Sequence, residues 1–153
     1  VIPRIRVLLV DDNRDVTLAM RMLIEHEEDM ECAGCIADAD SVSDAADRLR
    51  PDVIVMDLSM PGRDPLGVVG ELHASMPDIK TIVYSGHDAS DVADRAIEAG
   101  AWGYVRKTAD TRDLLESIRA VAHAVSAAPG HPAALAMGGP SDAMRWGPSH
   151  RRS

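Results

Sequence analysis

The sequence predicts an α/β fold, a parallel sheet with helices on both faces. Three observations predict it. Runs rich in Val, Ile and Leu recur five times along the 153 residues, and the sharper ones lack the polar alternation of a strand with one wet face. Each run is followed by a segment whose apolar residues return at helical spacing. Regular alternation of the two element types is what crossover connections in a parallel sheet require.

The elements follow in order. Ile5 to Val10 forms the first strand, and Asp15 is placed to cap a helix carrying Val16, Ala19, Met20, Leu23 and Ile24 on one side. "MECAGCIA", residues 30–37, reads as a weaker second strand, and "DSVSDAADRLRP" as a helix stopped by Pro51. "DVIVMD" is a strand ending in Asp57. Asp64 followed by Pro65 is an N-cap with proline at the first helical position, opening a helix to about Met76 that Gly67 and Gly70 weaken. "KTIVYSG" is the fourth strand, and "SDVADRAIEAG" a helix that Gly100 ends in a left-handed conformation. "AWGYVRK" is the fifth strand and "TRDLLESIRAVAHAV" the last helix.

From about Ala127 the character changes. Residues 127–153 hold four Pro, four Gly and six Ala with no periodic apolar face, which predicts a tail without an independent fold. Residues 1–126 form the single predicted domain. The chain carries 16 basic and 25 acidic residues, a net charge of −9, which argues against direct nucleic-acid binding by this chain. With no long apolar run and no leader-like start, the expectation is a cytoplasmic protein without a membrane partner.

In an open parallel sheet, the loops after the strands meet in a crevice where neighbouring crossovers leave for opposite faces. The first strand delivers Asp11 and Asp12 there, the third Asp57, the fourth Ser85 and the fifth Lys107. Adjacent carboxylates resist ionising together unless a cation lies between them. Mg²⁺, a hard cation that prefers carboxylate oxygens, suits Asp11 and Asp12, and Mn²⁺ is a plausible substitute. With the charge screened, Asp57 is free to act as a nucleophile toward a phosphoryl donor. Lys107 then offers a point charge and Ser85 a hydroxyl donor to the phosphoryl oxygens.

"LLVDDN", "VIVMDLSMPG", "TIVYSG" and "EAGAWGYVRK", in that order at successive strand ends, resemble the receiver domain of two-component response regulators. The resemblance covers roughly residues 4–125. It is similar in particular to the branch usually fused to a LuxR/NarL-type helix-turn-helix output domain. It implies a flavodoxin-like, doubly wound five-stranded sheet in order 2-1-3-4-5 with five helices. It further implies Asp57 as phosphoacceptor, Asp11, Asp12 and Asp57 as metal carboxylates, and Ser59 as a backbone-carbonyl ligand. Ser85 is then the switch hydroxyl, Lys107 the phosphate-binding lysine and Tyr104 the aromatic that follows the hydroxyl inward. The implied donor is a sensor histidine kinase or phosphotransfer protein, acting on a switch rather than a turnover enzyme. The implied output is a changed face on the fourth helix, fifth strand and fifth helix. Its Asp91, Asp94, Arg95, Glu98, Arg112, Asp113, Glu116 and Arg119 suit a homodimer contact.

The sequence departs from the family at Pro65, where glycine is common, and at Thr108, where proline is common. No output domain follows in this sequence, which leaves open that the chain is the receiver part of a longer regulator. Two other functions remain: a phosphorylation-independent interaction module, and a Mg²⁺-dependent phosphohydrolase, for which position 59 holds Ser rather than a second acid. Cys32 and Cys35, three apart in a strand, are expected on opposite faces, a geometry unfavourable to a local disulfide. His26, His73 and His123 have no ligand spacing, and His87 stands near the site in sequence.

Overall fold

The computed structural model describes residues 3–86, 90–124 and 144–146. Its elements are β1 (Ile5–Val10), α1 (Arg14–Glu25), β2 (Met30–Ile36), α2 (Val42–Leu49), β3 (Val53–Met56) and α3 (Pro65–Ser75). They continue with β4 (Lys80–Ser85), α4 (Ser90–Ala99), β5 (Gly103–Arg106), α5 (Thr111–His123) and β6 (Met144–Trp146). The first five strands are parallel in the order β2-β1-β3-β4-β5, as expected. β6 adds an antiparallel strand, pairing Tyr104 with Arg145 along β5. It comes from the Pro/Gly/Ala-rich tail and extends the sheet by one strand. His87 and the rest of the tail lie outside the described residues.

Strand alternation divides the core in two. Val7 and Leu9 of β1, with Val53 and Val55 of β3, face Met20 and Ile24 of α1 and Leu114, Ile118 and Val121 of α5. Leu8 and Val10, with Ile54 and Met56, face Val42 of α2, Val68 and Leu72 of α3 and Ala96 of α4. β1 and β3 are thus apolar on both sides, which is why their sequences show no alternation. Each fully buried aliphatic side chain in these layers contributes about 1.5–3 kcal/mol through the water it leaves.

Helix ends show where local chemistry decides. Asn13, not Asp15, caps α1: its side chain accepts from the N–H groups of Asp15 and Val16, and Asp15 falls in the first turn. The helix begins early because Asp11 already turns the chain by accepting the Asn13 N–H at 2.9 Å. α2 stops at Leu49, and Arg50 takes a left-handed conformation (φ 49°). Pro51 disfavours α geometry in the residue before it, which accounts for the stop. Asp64 caps α3 by accepting from Leu66, with Pro65 at the first helical position, as expected. Lys80, buried by Trp102, donates to the carbonyl of Ala124 beyond the end of α5 at 3.1 Å.

Two sequence expectations need correction. β2 carries a bulge: Val7 pairs with Cys32 but Leu8 pairs with Gly34, so Ala33 has no partner. The extra residue brings Cys32 and Cys35 to the same face, with their sulfurs 3.9 Å apart. Arg119 is not part of an open α4-β5-α5 face. It lies on the α1 side of α5, where its guanidinium donates to Asp29 at 2.8 and 3.0 Å and to Glu27 at 2.5 Å. These bonds hold the guanidinium's pKa above its ordinary value and lower that of Asp29.

Gly100 ends α4 with φ 118°, and a Cβ there would lie 2.7 Å from Cβ and Cγ of His73 on α3. Gly100→Ala therefore meets both backbone strain and a clash, and is expected to cost about 2–4 kcal/mol. Urea denaturation measures this, and an unchanged midpoint would refute the packing argument.

Candidate functional site

The connection β1-α1-β2 leaves the sheet on one face and β3-α3-β4 on the other. The C-terminal ends of β1 and β3 therefore open into a shared crevice. Asp11 follows β1 and Asp57 follows β3, and the backbone N–H of Asp57 donates to the carbonyl of Val10 at 2.9 Å. Both carboxylates are buried, 5% and 4% exposed, while Asp12 beside them is exposed. One carboxylate oxygen from each of the three lies within 4.8 Å of the others.

Lys107, just past β5, reaches into this group. Its ammonium donates to Asp11 Oδ2 at 3.1 Å and stands 3.5 Å from Asp57 Oδ1, in ion-pair range of both. Burial opposes its charge, but the hydrogen bond to Asp11 and the charges of Asp57 and Asp11 outweigh burial and raise its pKa. Asp57 shows the reverse balance. Burial and then the charge of Asp11 raise its carboxyl, against the lowering effects of Lys107 and of a hydrogen bond from the Ser59 backbone. Its Oδ1 is buried without a hydrogen-bond partner.

That orphaned oxygen, three oxygens in close range and an exposed approach at Asp12 suit a hard divalent cation. Asp11, Asp12 and Asp57 are the side chains that would hold it. Ser59 contributes its backbone at Asp57, here through the N–H.

Ser85 is fully buried at the end of β4, and its carbonyl accepts the Lys107 N–H at 2.8 Å, tying the fourth and fifth strand ends together. Tyr104 lies in the core on the α3/α4 side, 2% exposed. It packs with Val83 and Ala101 in the apolar layer beneath α3 and α4.

Three contributors were missed in the sequence. Asn13 fixes Asp11 through its N–H and starts α1. Thr17 donates its hydroxyl to the carbonyls of Asn13 and Asp11, at 2.9 and 3.3 Å. Tyr84 puts its ring 5.8 Å from the Lys107 ammonium. A signal existed for Asn13, an amide three residues past a strand end. Tyr84 was readable only from the alternation that sends it opposite Ser85.

The loop from Asp57 to α3 is anchored away from the crevice. Asp40 accepts the Arg63 N–H at 3.2 Å, Arg63 pairs with Glu71, and Ser43 donates to Glu71 at 2.9 Å. No helix among the described residues is long and apolar enough to cross a membrane.

Residues 7–119 match the response regulator receiver domain family. The chain is 35% identical over 116 residues to the transcriptional regulatory protein LiaR of Bacillus subtilis, covering 76% of this chain and 55% of that protein. It is 32% identical over 117 residues to the response regulator GacA of Pseudomonas aeruginosa, covering 76% and 55%. The chain thus spans about half the length of these curated relatives. A crystal structure of a LuxR-family two-component response regulator from Aurantimonas superposes with a TM-score of 0.74 at 31% identity, over 78% of this chain and 85% of that one.

Because the pKa of Asp57 is raised, the folded state favours its protonated form. That stability is fully present below the ordinary carboxylate range and is lost as pH rises through the folded value. In metal-free protein at neutral pH, Asp57→Asn is therefore expected to stabilise the fold, an advantage that shrinks toward acid. Urea titrations at neutral and acidic pH measure it. Mg²⁺ should raise the melting temperature of the wild type more than that of Asp57→Asn. A variant no more stable than wild type at neutral pH would refute the electrostatic account.

Proposed function

Because this chain belongs to the response regulator receiver domain family, we propose that it accepts a phosphoryl group on Asp57 from the phosphohistidine of a sensor histidine kinase or phosphotransfer protein. The observation that carries this reading is the three-carboxylate cluster with Lys107 in range of two of its members. An Asp57 oxygen attacks phosphorus, the phosphorus–nitrogen bond breaks, and an acyl phosphate forms on the aspartate. A bound Mg²⁺ supplies positive charge for the incoming phosphoryl oxygens. Phosphoryl transfer asks the protein mainly for position and charge.

The chain's own residues divide that work. Burial, the charge of Asp11 and the missing hydrogen bond at Oδ1 leave Asp57 poorly satisfied before reaction. Lys107 is already beside the reacting oxygen and exchanges a carboxylate partner for a phosphoryl oxygen. Ser85, on the neighbouring strand end, offers its hydroxyl to the same group. A switch works only when the new group binds one of two existing states more tightly. We place that preference in Ser85 and Tyr104, with Tyr104 in the buried position in this structure.

The altered face comprises α4, β5 and α5, where Asp91, Asp94, Arg95, Glu98, Arg112, Asp113 and Glu116 offer both signs of charge for a second copy or another partner. β6 borders the same face along β5. LiaR, one of the matched relatives, is a transcriptional regulatory protein by name. In that setting this acidic chain is the signal-receiving part and DNA contact falls to a separate domain.

Intact mass after incubation with Mg²⁺ and acetyl phosphate tests the reading. A single phosphoryl adduct is expected, absent from Asp57→Asn and from chelator-treated protein. No adduct in wild type that still binds Mg²⁺ would overturn phosphorylation and leave a phosphorylation-independent module. Sustained release of phosphate from simple esters would point instead to a phosphohydrolase.

A further inference from the structure

Cys32 and Cys35 lie on β2, outside the carboxylate site, and the bulge changes what they can do. In a regular strand, residues three apart point to opposite faces. With Ala33 unpaired, Cys32 lies opposite Val7 and Cys35 opposite Leu9, two positions apart on β1. The count between them is reduced from three to two, and both sulfurs come to one face, 3.9 Å apart. Both are free thiols, Cys32 half-buried and Cys35 exposed. Beside Cys35 an open cleft of about 470 Å³ is lined by Arg14, Arg21, Asp11 and Asp15. Its two arginines are matched by two carboxylates, so it offers a small reactant room beside the exposed thiol without a preference for either charge.

We propose that Cys32 and Cys35 form a reversible two-electron thiol–disulfide couple, oxidised by a low-molecular-weight disulfide that reaches the exposed Cys35 from this cleft. The exposed Cys35 thiolate attacks one sulfur of the reagent disulfide, forming a mixed disulfide and releasing one thiolate. The Cys32 thiolate then attacks the Cys35 sulfur, closing the Cys32–Cys35 bond and expelling the second thiolate. The pair loses two electrons, the reagent gains them, and the two cysteine protons end on the two thiols released.

The order of attack follows from the surroundings. Burial and then the neighbouring Cys35 push the Cys32 thiol up to about 11, which makes it the poorer first nucleophile. Once Cys35 is in a mixed disulfide its negative charge is gone, and that part of the opposition goes with it. Closing the gap to an S–S bond of about 2.05 Å brings the sulfurs together by about 1.9 Å. Among the described strands β2 is hydrogen-bonded to β1 alone, so it can bend without disturbing a second described ladder. Gly34 between the cysteines adds no side chain to the movement. A ring this short gains little chain entropy, so the bond is expected to be readily reduced.

The test uses the full chain, reduced, freed of reductant, incubated with oxidised glutathione and quenched with N-ethylmaleimide before intact-mass measurement. The expected product carries neither maleimide nor glutathione, is two hydrogens lighter, is monomeric on a non-reducing gel, and regains both thiols with dithiothreitol. Cys32→Ser should stop at a glutathione adduct on Cys35, and Cys35→Ser should react at least about tenfold more slowly than Cys32→Ser. Persistent glutathione adduct on the wild type would overturn the proposal, as would chain-to-chain disulfides or two thiols still open to maleimide. The wild-type arm decides the matter even if a serine variant fails to fold.

Discussion

Two carboxylates buried within a few ångströms of each other cannot both stay ionised without a cation to hold them, and that constraint organises this fold. Asp11 and Asp57 arrive from adjacent strands, and the cation, Lys107, arrives from just past β5, two strands away from β3. The ion pair closes only when β1, β3, β4 and β5 are in register, so the charge balance and the strand order depend on each other. A bridging ammonium satisfies Asp11 well and Asp57 poorly, since its reach to the second carboxylate is 3.5 Å and Oδ1 gains no hydrogen bond. The arrangement leaves one carboxylate oxygen without a hydrogen bond while its neighbours are tied down.

The supports around it are local. Asn13 and Thr17 hold the turn after Asp11 through backbone groups, and Asp40, Ser43 and Glu71 hold the loop after Asp57 from outside. Neither set requires an occupied crevice. Pro65, where the family commonly has glycine, sits at the first helical position of α3 and costs that helix no hydrogen bond. Its stiffness therefore acts on the loop rather than on the helix.

Much of this was legible in the sequence because it rests on local rules. Uninterrupted apolar runs gave β1, β3 and β4, and residues at their ends gave Asp11, Asp57 and Ser85. The Asp64-Pro65 pair gave the start of α3. The illegible parts depend on partners distant in the chain or on one extra residue. The bulge at Ala33 leaves the composition of β2 unchanged but reverses the relation between Cys32 and Cys35. Arg119 looked like one charge among several on a helix surface, and its actual partners, Glu27 and Asp29, lie some ninety residues earlier. Lys107 was read as a charge for phosphoryl oxygens, and its hydrogen bond to Asp11, ninety-six residues earlier, carried no sequence signal. β6 was invisible because three residues in a Pro- and Gly-rich stretch carry no strand signal of their own.

The grip of Arg119 on the α1–β2 turn also bears on how the chain is made. The apolar layer shared by β1, α1 and β3 is completed by Leu114, Ile118 and Val121, and the turn between α1 and β2 is fastened by Arg119. A ribosome delivers the first strand and helix long before it delivers α5. Until then the nascent chain exposes one side of its earliest strands with nothing to cover it, a contact closed late and over a long loop. The final helix thus acts as the checkpoint of biosynthesis: chains truncated before it would leave the ribosome collapsed but unsealed, as clients for chaperones and proteases.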